Sequence, residues 1–189
     1  IRYRGPITLQ TPCTFCSLVP EGSGGYKFVM IEISLPDLDA TMALAAQIAP
    51  FLEAGDVVGL EGSLGAGKTT FARDLIGAMA AHYGADPVGE VPSPTFTLVQ
   101  VYETGGAPVW HFDLYRLRAP EDALELGIEE AFSEAISLIE WSSKLGNYMP
   151  HDWLEIRLEI KGEFSRHGQI IGHGLRGEAI ETAFKEVLS

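Results

Sequence analysis

The stretch 56-DVVGLEGSLGAGKTTFARDL-75 decides the fold. It begins with a short apolar run, passes through a glycine-rich segment at residues 62–67, and continues into a segment with the composition of a helix. Residues 62–69 match the pattern G-x-x-x-x-G-K-[ST] in full. Because an apolar strand, a glycine-rich loop and a helix follow one another in this order, the stretch predicts a phosphate-binding P-loop.

The residue types of this loop suit a bound nucleoside triphosphate, with ATP the favoured one. Glycines let the backbone wrap an anion with its N–H groups turned inward, and the N-terminus of the following helix favours negative charge. Lys68 supplies a cation for the β- and γ-phosphates, and Thr69 supplies a hydroxyl for Mg²⁺. We favour this site over an ordinary tight turn and assign to the nucleotide Gly62, Gly65, Ala66, Gly67, Lys68, Thr69 and Thr70.

Two carboxylates lie beside apolar segments downstream of the loop. Asp113 follows 109-VWHF-112, and Glu140 follows 136-ISLI-139. A P-loop enzyme needs a carboxylate near its metal ion, and a pair provides one acid for Mg²⁺ and one to orient or activate water. The alternative for either residue is a solvated carboxylate at the end of a strand, and the P-loop upstream favours the functional interpretation.

Several other side chains have two open interpretations. Thr95, within 93-SPTF-96, either reaches the γ-phosphate and metal as a switch element or stabilises a turn. Trp141 either covers the pocket or belongs to the core. Lys144 and Arg166 are basic residues in an acidic chain, and either could contact phosphate or base. His111 lies in the middle of a predicted strand, and we interpret it as structural rather than catalytic.

The composition limits the possible functions. The chain has 189 residues, 46% of them hydrophobic, which suffices for one packed domain. Its formal net charge of −13 argues against direct, extensive binding to nucleic acid, DNA included. No apolar run approaches the roughly 20 residues of a membrane span. The two cysteines, Cys13 and Cys16, are interpreted as incidental thiols, and we expect a cytoplasmic protein without a secretory segment.

We expect the chain to divide at Met30. Residues 1–29 are basic on balance and contain the linker-like 20-PEGSGG-25, so we expect a disordered upstream extension with Met30 as the natural start. Beyond it the pattern is α/β, with strands predicted at residues 30–34, 56–61, 97–103, 108–114, 135–139, 153–160 and 169–173. Helices are predicted at residues 39–53, capped by Asp39, at 68–82 and at 178–188. One or two short helices, broken near Gly127, are predicted within residues 120–132.

Four motifs, in this order and at these separations, closely resemble the TsaE family: GSLGAGKTTFARDL, VPSPTFTLVQVYE, VWHFDLYRL and LIEW. That family is the small bacterial P-loop ATPase required for the threonylcarbamoyladenosine modification of tRNA. The resemblance covers roughly residues 31–188. It implies a three-layer α/β P-loop NTPase domain around a mainly parallel central sheet with antiparallel additions, and it implies ATP and Mg²⁺ as cofactors.

The resemblance also implies residue roles. It implies four catalytic residues: Lys68, Thr95, Asp113 and Glu140. It implies two metal ligands, Thr69 and Glu140. Beyond the P-loop it adds three residues at the nucleotide: Leu38 in a turn that borders the base, Trp141 and Arg166. Two positions depart from the family pattern. Ser142 replaces a proline, from which we expect a freer loop after Trp141, and Ser165 replaces the glycine before Arg166.

Partners are implied in the same way. TsaE proteins look like accessories of the TsaB–TsaD heterodimer, which transfers the threonylcarbamoyl group to adenosine 37 of tRNA, and ATP hydrolysis would reset that complex between turnovers. The chain would then meet tRNA indirectly, which suits its acidity. Two alternatives are a small-molecule kinase, for which no arginine-rich lid is evident, and a nucleotide-dependent binding module with negligible turnover.

Overall fold

A computed structural model describes residues 30–188, which contain seven strands and four α-helices. The strands, in chain order, are β1 (Met30–Leu35), β2 (Val57–Glu61), β3 (Val99–Tyr102), β4 (Val109–Asp113), β5 (Ile136–Glu140), β6 (Trp153–Ile160) and β7 (Arg166–His173). The α-helices are α1 (Leu38–Ile48), α2 (Lys68–His82), α3 (Ile128–Glu134) and α4 (Gly174–Leu188). Three 3₁₀ segments span Ala49–Phe51, Pro120–Leu126 and Ser142–Tyr148. The extension expected at residues 1–29, with Cys13 and Cys16, lies outside the described residues.

The strands form one sheet in the order β1-β7-β6-β2-β5-β4-β3. Strands β6, β2, β5 and β4 run parallel at its centre. On one side β7 and β1 are added antiparallel, and on the other side β3 pairs antiparallel with β4. The predicted α/β class, mainly parallel with antiparallel additions, is confirmed. The strands predicted at residues 97–103 and 108–114 correspond to β3 and β4, which form an antiparallel hairpin.

Apolar side chains point to both faces of the sheet, because successive residues of a strand alternate between faces. On one face Val58 of β2 and Leu138 of β5 pack with residues of α1, α2 and α4. On the other face Val57 and Ile139 pack with residues of α3 and the second and third 3₁₀ segments. The sheet is therefore covered on both faces, which makes the three layers predicted for this domain.

The first helix differs from the prediction at both ends. Asp37, not Asp39, caps α1, because its Oδ1 accepts a hydrogen bond of 2.8 Å from the N–H of Ala40. Asp39 lies in the first turn instead, where a carboxylate suits the positive end of the helix dipole. The α-helix gives way to the 3₁₀ segment Ala49–Phe51 rather than running to residue 53. Pro50 explains this, because it has no N–H to continue the helical hydrogen bonds.

The carboxyl-terminal elements begin earlier than predicted. Strand β7 starts at Arg166, not at residue 169, and pairs with β6 along its whole length and with β1 over residues 166–171. Helix α4 starts at Gly174, not at residue 178. Its added turn is held by Arg176, whose Nε and Nη2 donate to the two carboxylate oxygens of Asp56 at 2.8 and 2.7 Å. These extensions depend on partners distant in the sequence.

Two other predictions match the structure closely. Helix α2 spans residues 68–82, as predicted. Gly127, with a φ of 77°, separates the 3₁₀ segment Pro120–Leu126 from α3, where the break was predicted. None of the helices within residues 30–188 is long and apolar enough to cross a membrane.

Candidate functional site

The P-loop connects β2 to α2 at the carboxyl ends of the parallel strands. Gly67 is the N-cap of α2 and has a φ of 106°, a left-handed conformation that glycine adopts without a steric penalty. Gly62 lies so close to β6 that a Cβ atom there would sit 2.3 Å from the carbonyl oxygen of Leu158. Both glycines have a positive φ, 142° at Gly62 and 106° at Gly67, and Gly62 is required in addition for its close approach to β6.

The loop borders a cavity of about 360 Å³. From the loop and the start of α2, the cavity is lined by Gly65, Gly67, Lys68, Thr69 and Thr70. From other segments it is lined by four more of the predicted residues: Thr95, Asp113, Glu140 and Trp141. Ser93 and Tyr115 also line it, and the sequence interpretation did not include them. Nine of the predicted residues thus meet at one cavity.

Glu140 joins the P-loop to β4. Its Oε2 accepts a hydrogen bond of 2.9 Å from Thr69 Oγ1, and its Oε1 lies 3.0 Å from Nε2 of His111. Both Glu140 and His111 are buried. The sequence interpretation treated His111 as structural and missed this contact. The available signal was the alternation along β4, which places His111 on the same face as Asp113, beside the strand that ends in Glu140.

A hydroxyl and a carboxylate are therefore paired at the predicted metal position. Within residues 30–188, no group of three or more His, Cys, Asp or Glu side chains is arranged to hold a metal ion. Mg²⁺ needs no such group, because it keeps several waters and is bound through one or two carboxylates together with substrate phosphates. Thr69 and Glu140 fit this chemistry better than they fit Zn²⁺, which usually takes three or four nitrogen, sulfur or carboxylate ligands.

Asp113 holds the turn at residues 93–95 against the cavity. Its Oδ2 accepts hydrogen bonds from Thr95 Oγ1 at 2.6 Å and from Ser93 Oγ at 3.4 Å. Its Oδ1 accepts the N–H of Tyr115 at 3.0 Å. In the β4–β5 register Asp113 stands directly beside Glu140. Two buried carboxylates thus stand at the ends of adjacent strands, each paired with a threonine hydroxyl.

Lys68 lies against the inner side of the loop. Its Nζ donates to the carbonyl oxygens of Gly62 and Ser63 at 2.8 and 3.0 Å. The same nitrogen is 3.8 Å from the centroid of the Trp141 ring, a cation–π contact. Burial lowers the pKa of Lys68 below its ordinary value of 10.5, although nearby carboxylates, Glu140 first among them, favour the charged form. A phosphate would give this buried ammonium a stronger partner than the carbonyls do.

The segment after β5 is tied to β2. Trp141 has a φ of 61°, and its ring packs against Tyr115 with centroids 5.2 Å apart. Ser142 Oγ and the N–H of Ser143 donate to Oε1 of Glu61 at 2.8 and 2.6 Å. The freer loop expected from the serine at position 142 is not observed. The serine hydroxyl makes a hydrogen bond that a proline side chain could not make.

Four of the predicted nucleotide residues do not line the cavity: Leu38, Gly62, Ala66 and Arg166. Arg166 contacts the carbonyl side of the P-loop, since its Nε donates to Ala66 at 2.9 Å and its Nη2 to Gly65 at 3.2 Å. Leu38 is exposed at the start of α1, shortly after Leu35, which pairs with Arg166 in the β1–β7 register. The roles of these residues at a nucleotide stay predictions.

Known proteins share both sequence and fold with this chain. Residues 35–168 match the family described as "Threonylcarbamoyl adenosine biosynthesis protein TsaE". A tRNA threonylcarbamoyladenosine biosynthesis protein TsaE of Rickettsia felis is 38% identical over 143 residues, which cover 76% of this chain and 81% of that protein. The protein of the same name in Bacillus subtilis is 34% identical over 143 residues, which cover 75% of this chain and 85% of that protein. The crystal structure of Bacillus subtilis YdiB superposes with a TM-score of 0.70 at 27% identity, covering 87% of this chain and all of that chain.

The matched region contains every residue that lines the cavity, from the P-loop to Trp141. It also contains the parallel strands β2, β4 and β5, which lead to the P-loop and end at Asp113 and Glu140. Sequence and fold therefore agree, and the chain belongs to the TsaE family of threonylcarbamoyladenosine biosynthesis proteins.

Proposed function

We propose that the protein binds ATP with Mg²⁺ and hydrolyses it, as an accessory protein in the formation of threonylcarbamoyladenosine at position 37 of tRNA. The observation that carries the proposal is the meeting of the P-loop, the Thr69–Glu140 pair and the Thr95–Asp113 pair at one cavity. These are the groups that phosphate binding, metal binding and water activation require. Membership of the TsaE family supplies the pathway.

In this proposal the loop amides and Lys68 bind the phosphates. The N-terminus of α2 adds the positive end of its dipole to the same place. Thr69 and Glu140 would hold Mg²⁺, which when bound neutralises charge on the phosphate oxygens. Glu140 is suited to this because a buried carboxylate next to a hydroxyl donor stays directed toward that donor.

Asp113 is proposed to orient or activate the attacking water. A carboxylate in this role must face the cavity and keep a free lone pair for the water. Asp113 lines the cavity, and its Oδ1, which accepts the N–H of Tyr115, has room for a second partner because a carboxylate oxygen accepts more than one hydrogen bond. Its bond to Thr95 connects the cavity to the exposed turn that carries Phe96, which is 83% exposed. That turn could transmit the state of the nucleotide to a partner.

The proposed partner is a TsaB–TsaD heterodimer. The formal charge of −13 supports a role in which another subunit contacts tRNA. The test is phosphate release from ATP by the isolated chain and by the chain mixed with TsaB–TsaD, each with Mg²⁺ and with EDTA. We expect slow release alone, faster release with the partners, and none in EDTA.

Glu140→Ala provides a second measurement. It should weaken Mg²⁺-dependent hydrolysis more than metal-free nucleotide binding, and equal loss of both would remove Glu140 from the metal site. Two results would overturn the proposal as a whole. One is efficient phosphoryl transfer to a small metabolite, and the other is the absence of turnover when both partners are present.

A further inference from the structure

The geometry points to His111 as a positioning residue that directs the Glu140 carboxylate toward Thr69, an inference that rests on the proposed Mg²⁺–ATP site. His111 lies in the middle of β4, flanked by β3 and β5, and is 0% exposed. It does not line the cavity, so it acts through Glu140 rather than on a ligand. Its Nε2 stands 3.0 Å from Oε1 of Glu140.

The hydrogen-bond partners decide where the imidazole proton lies. Among the described residues, Nδ1 of His111 has no hydrogen-bond partner. An N–H at that buried position would be an unpaired donor, which is unfavourable. A proton on Nε2 instead donates to Glu140, a charge-assisted hydrogen bond. We therefore assign a proton to Nε2, the nitrogen that faces Glu140.

This assignment explains how a long side chain is fixed at the cavity wall. Glutamate has three rotatable side-chain bonds, so two hydrogen bonds, one on each carboxylate oxygen, fix its carboxylate more firmly than the Thr69 bond alone. With Oε1 bound to His111, Oε2 is left facing Thr69 Oγ1 at 2.9 Å. Such partners behind a metal ligand typically change metal affinity by about 10- to 100-fold when they are lost.

The test compares two substitutions of His111 with a matched control. His111→Phe keeps an aromatic ring but removes the donor, whereas His111→Gln can still present an N–H near the Nε2 position. The control is His173→Phe. His173 Nε2 lies 2.8 Å from Oε2 of buried Glu155 in the same sheet, which is a similar histidine–glutamate contact, but neither residue lines the cavity. For each folded variant, binding of a non-hydrolysable ATP analogue is measured in EDTA and across a Mg²⁺ titration.

For His111→Phe we expect the Mg²⁺ concentration at half-maximal binding to rise by about 10- to 100-fold, with binding in EDTA nearly unchanged. His111→Gln should recover most of the loss, and His173→Phe should match the unchanged protein. A Mg²⁺ requirement for His111→Phe within about twofold of the unchanged protein would overturn the inference, as would equal loss in the Phe and Gln variants.

A spectroscopic measurement on the unchanged protein covers the case in which His111→Phe does not fold. Nitrogen-15 NMR of the histidine rings should show His111 protonated at Nε2. An unprotonated Nε2 would overturn the inference. If the unchanged protein shows no Mg²⁺-dependent binding at all, the proposed function fails and the positioning role fails with it. The inference alone fails when Mg²⁺ dependence is present but insensitive to His111.

Discussion

At the scale of single residues, the site depends on hydrogen bonds between side chains far apart in the chain. Thr69 and Glu140, 71 residues apart, share one of them. Thr95 and Asp113 share another, 18 residues apart. Each carboxylate is buried, and burial without such partners would be costly. Each acid is therefore held in one orientation before any ligand arrives.

Lys68→Ala should weaken ATP binding by about 10- to 150-fold, because a charge-assisted hydrogen bond is worth about 1.5–3 kcal/mol. Titration calorimetry with a non-hydrolysable analogue measures the change. Lys144→Ala is the matched control, since Nζ of Lys144 donates to the carbonyl oxygen of Leu117 at 3.2 Å and does not line the cavity. Equal losses in the two variants would contradict a phosphate role for Lys68.

Asp113→Asn should lower turnover by about 10²- to 10⁴-fold, the usual contribution of a positioned acid or base. Nucleotide binding should change little, because the amide can still accept the Thr95 hydroxyl. Single-turnover phosphate release and analogue binding measure the two effects separately. Glu155→Gln changes a buried strand carboxylate outside the cavity and should leave turnover intact. If turnover survives in Asp113→Asn, the carboxylate has only a structural role.

At the scale of secondary-structure elements, the local sequence predicted correctly those elements that are set by local interactions. Helix α2 follows from the glycine at its N-cap and the apolar positions behind it, and the 3₁₀ turn at Ala49–Phe51 follows from Pro50. The predicted start of α4 was wrong because the first turn of this helix depends on the contact between Arg176 and Asp56, which are 120 residues apart. The cap at Asp37 was missed because two aspartates, Asp37 and Asp39, stand two positions apart and both suit the start of a helix.

Arg176→Ala should destabilise the fold by about 1.5–3 kcal/mol, because it leaves the buried Asp56 without its charged partner. Urea unfolding followed by circular dichroism measures the loss. Lys161→Ala removes an exposed ion pair with Glu159 and should change stability by less than about 0.5 kcal/mol. A change of that small size for Arg176→Ala would mean that α4 is held by its apolar face alone.

The contact between α4 and β7 should make stability depend on pH. Glu181 of α4 is buried, and its Oε2 accepts the N–H of Gly172 at 2.8 Å. Burial raises the pKa of Glu181 above its ordinary value of 4.5. The folded state therefore keeps this proton at a pH where the unfolded state has lost it, so the contribution to stability falls as pH rises from about 4.5 through the folded-state pKa.

Glu181→Gln removes this titration and tests the effect. Relative to the variant, the unchanged protein should lose stability progressively as the pH rises above about 4.5, and the difference should be constant at lower pH. Thermal melts over this pH range measure it. A difference that does not vary with pH, or one that varies in the opposite direction, would contradict a raised pKa for Glu181.

At the scale of the whole molecule, the parallel centre of the sheet gathers the site. Strands β2, β4 and β5 end at the same edge of the sheet. The P-loop follows β2 there, and Asp113 and Glu140 are the last residues of β4 and β5. Ligands of open α/β sheets bind at this edge as a rule. The antiparallel strands β7 and β1 extend the other half of the sheet and bring Arg166 to the carbonyl side of the loop.

The overall charge predicts weak direct binding to tRNA. A chain with a formal net charge of −13 repels the phosphate backbone, so little complex should form even at about 50 mM salt. Filter binding of labelled tRNA to the isolated chain measures this, and the same assay with TsaB–TsaD shows whether the partners supply the contact. Tight, strongly salt-dependent binding by the chain alone would contradict the prediction.

The sequence by itself determined the α/β class, the P-loop, the two strand-end acids and the family, because each depends on residue types at short, regular spacings. Only the tertiary structure decided which side chains meet. The sheet order sets His111 behind Glu140, sets Arg166 against the P-loop carbonyls, and ties Ser142 to Glu61. Strand order and register depend on the packing of the whole chain, and the residue pattern of one strand does not predict which strand lies next to it.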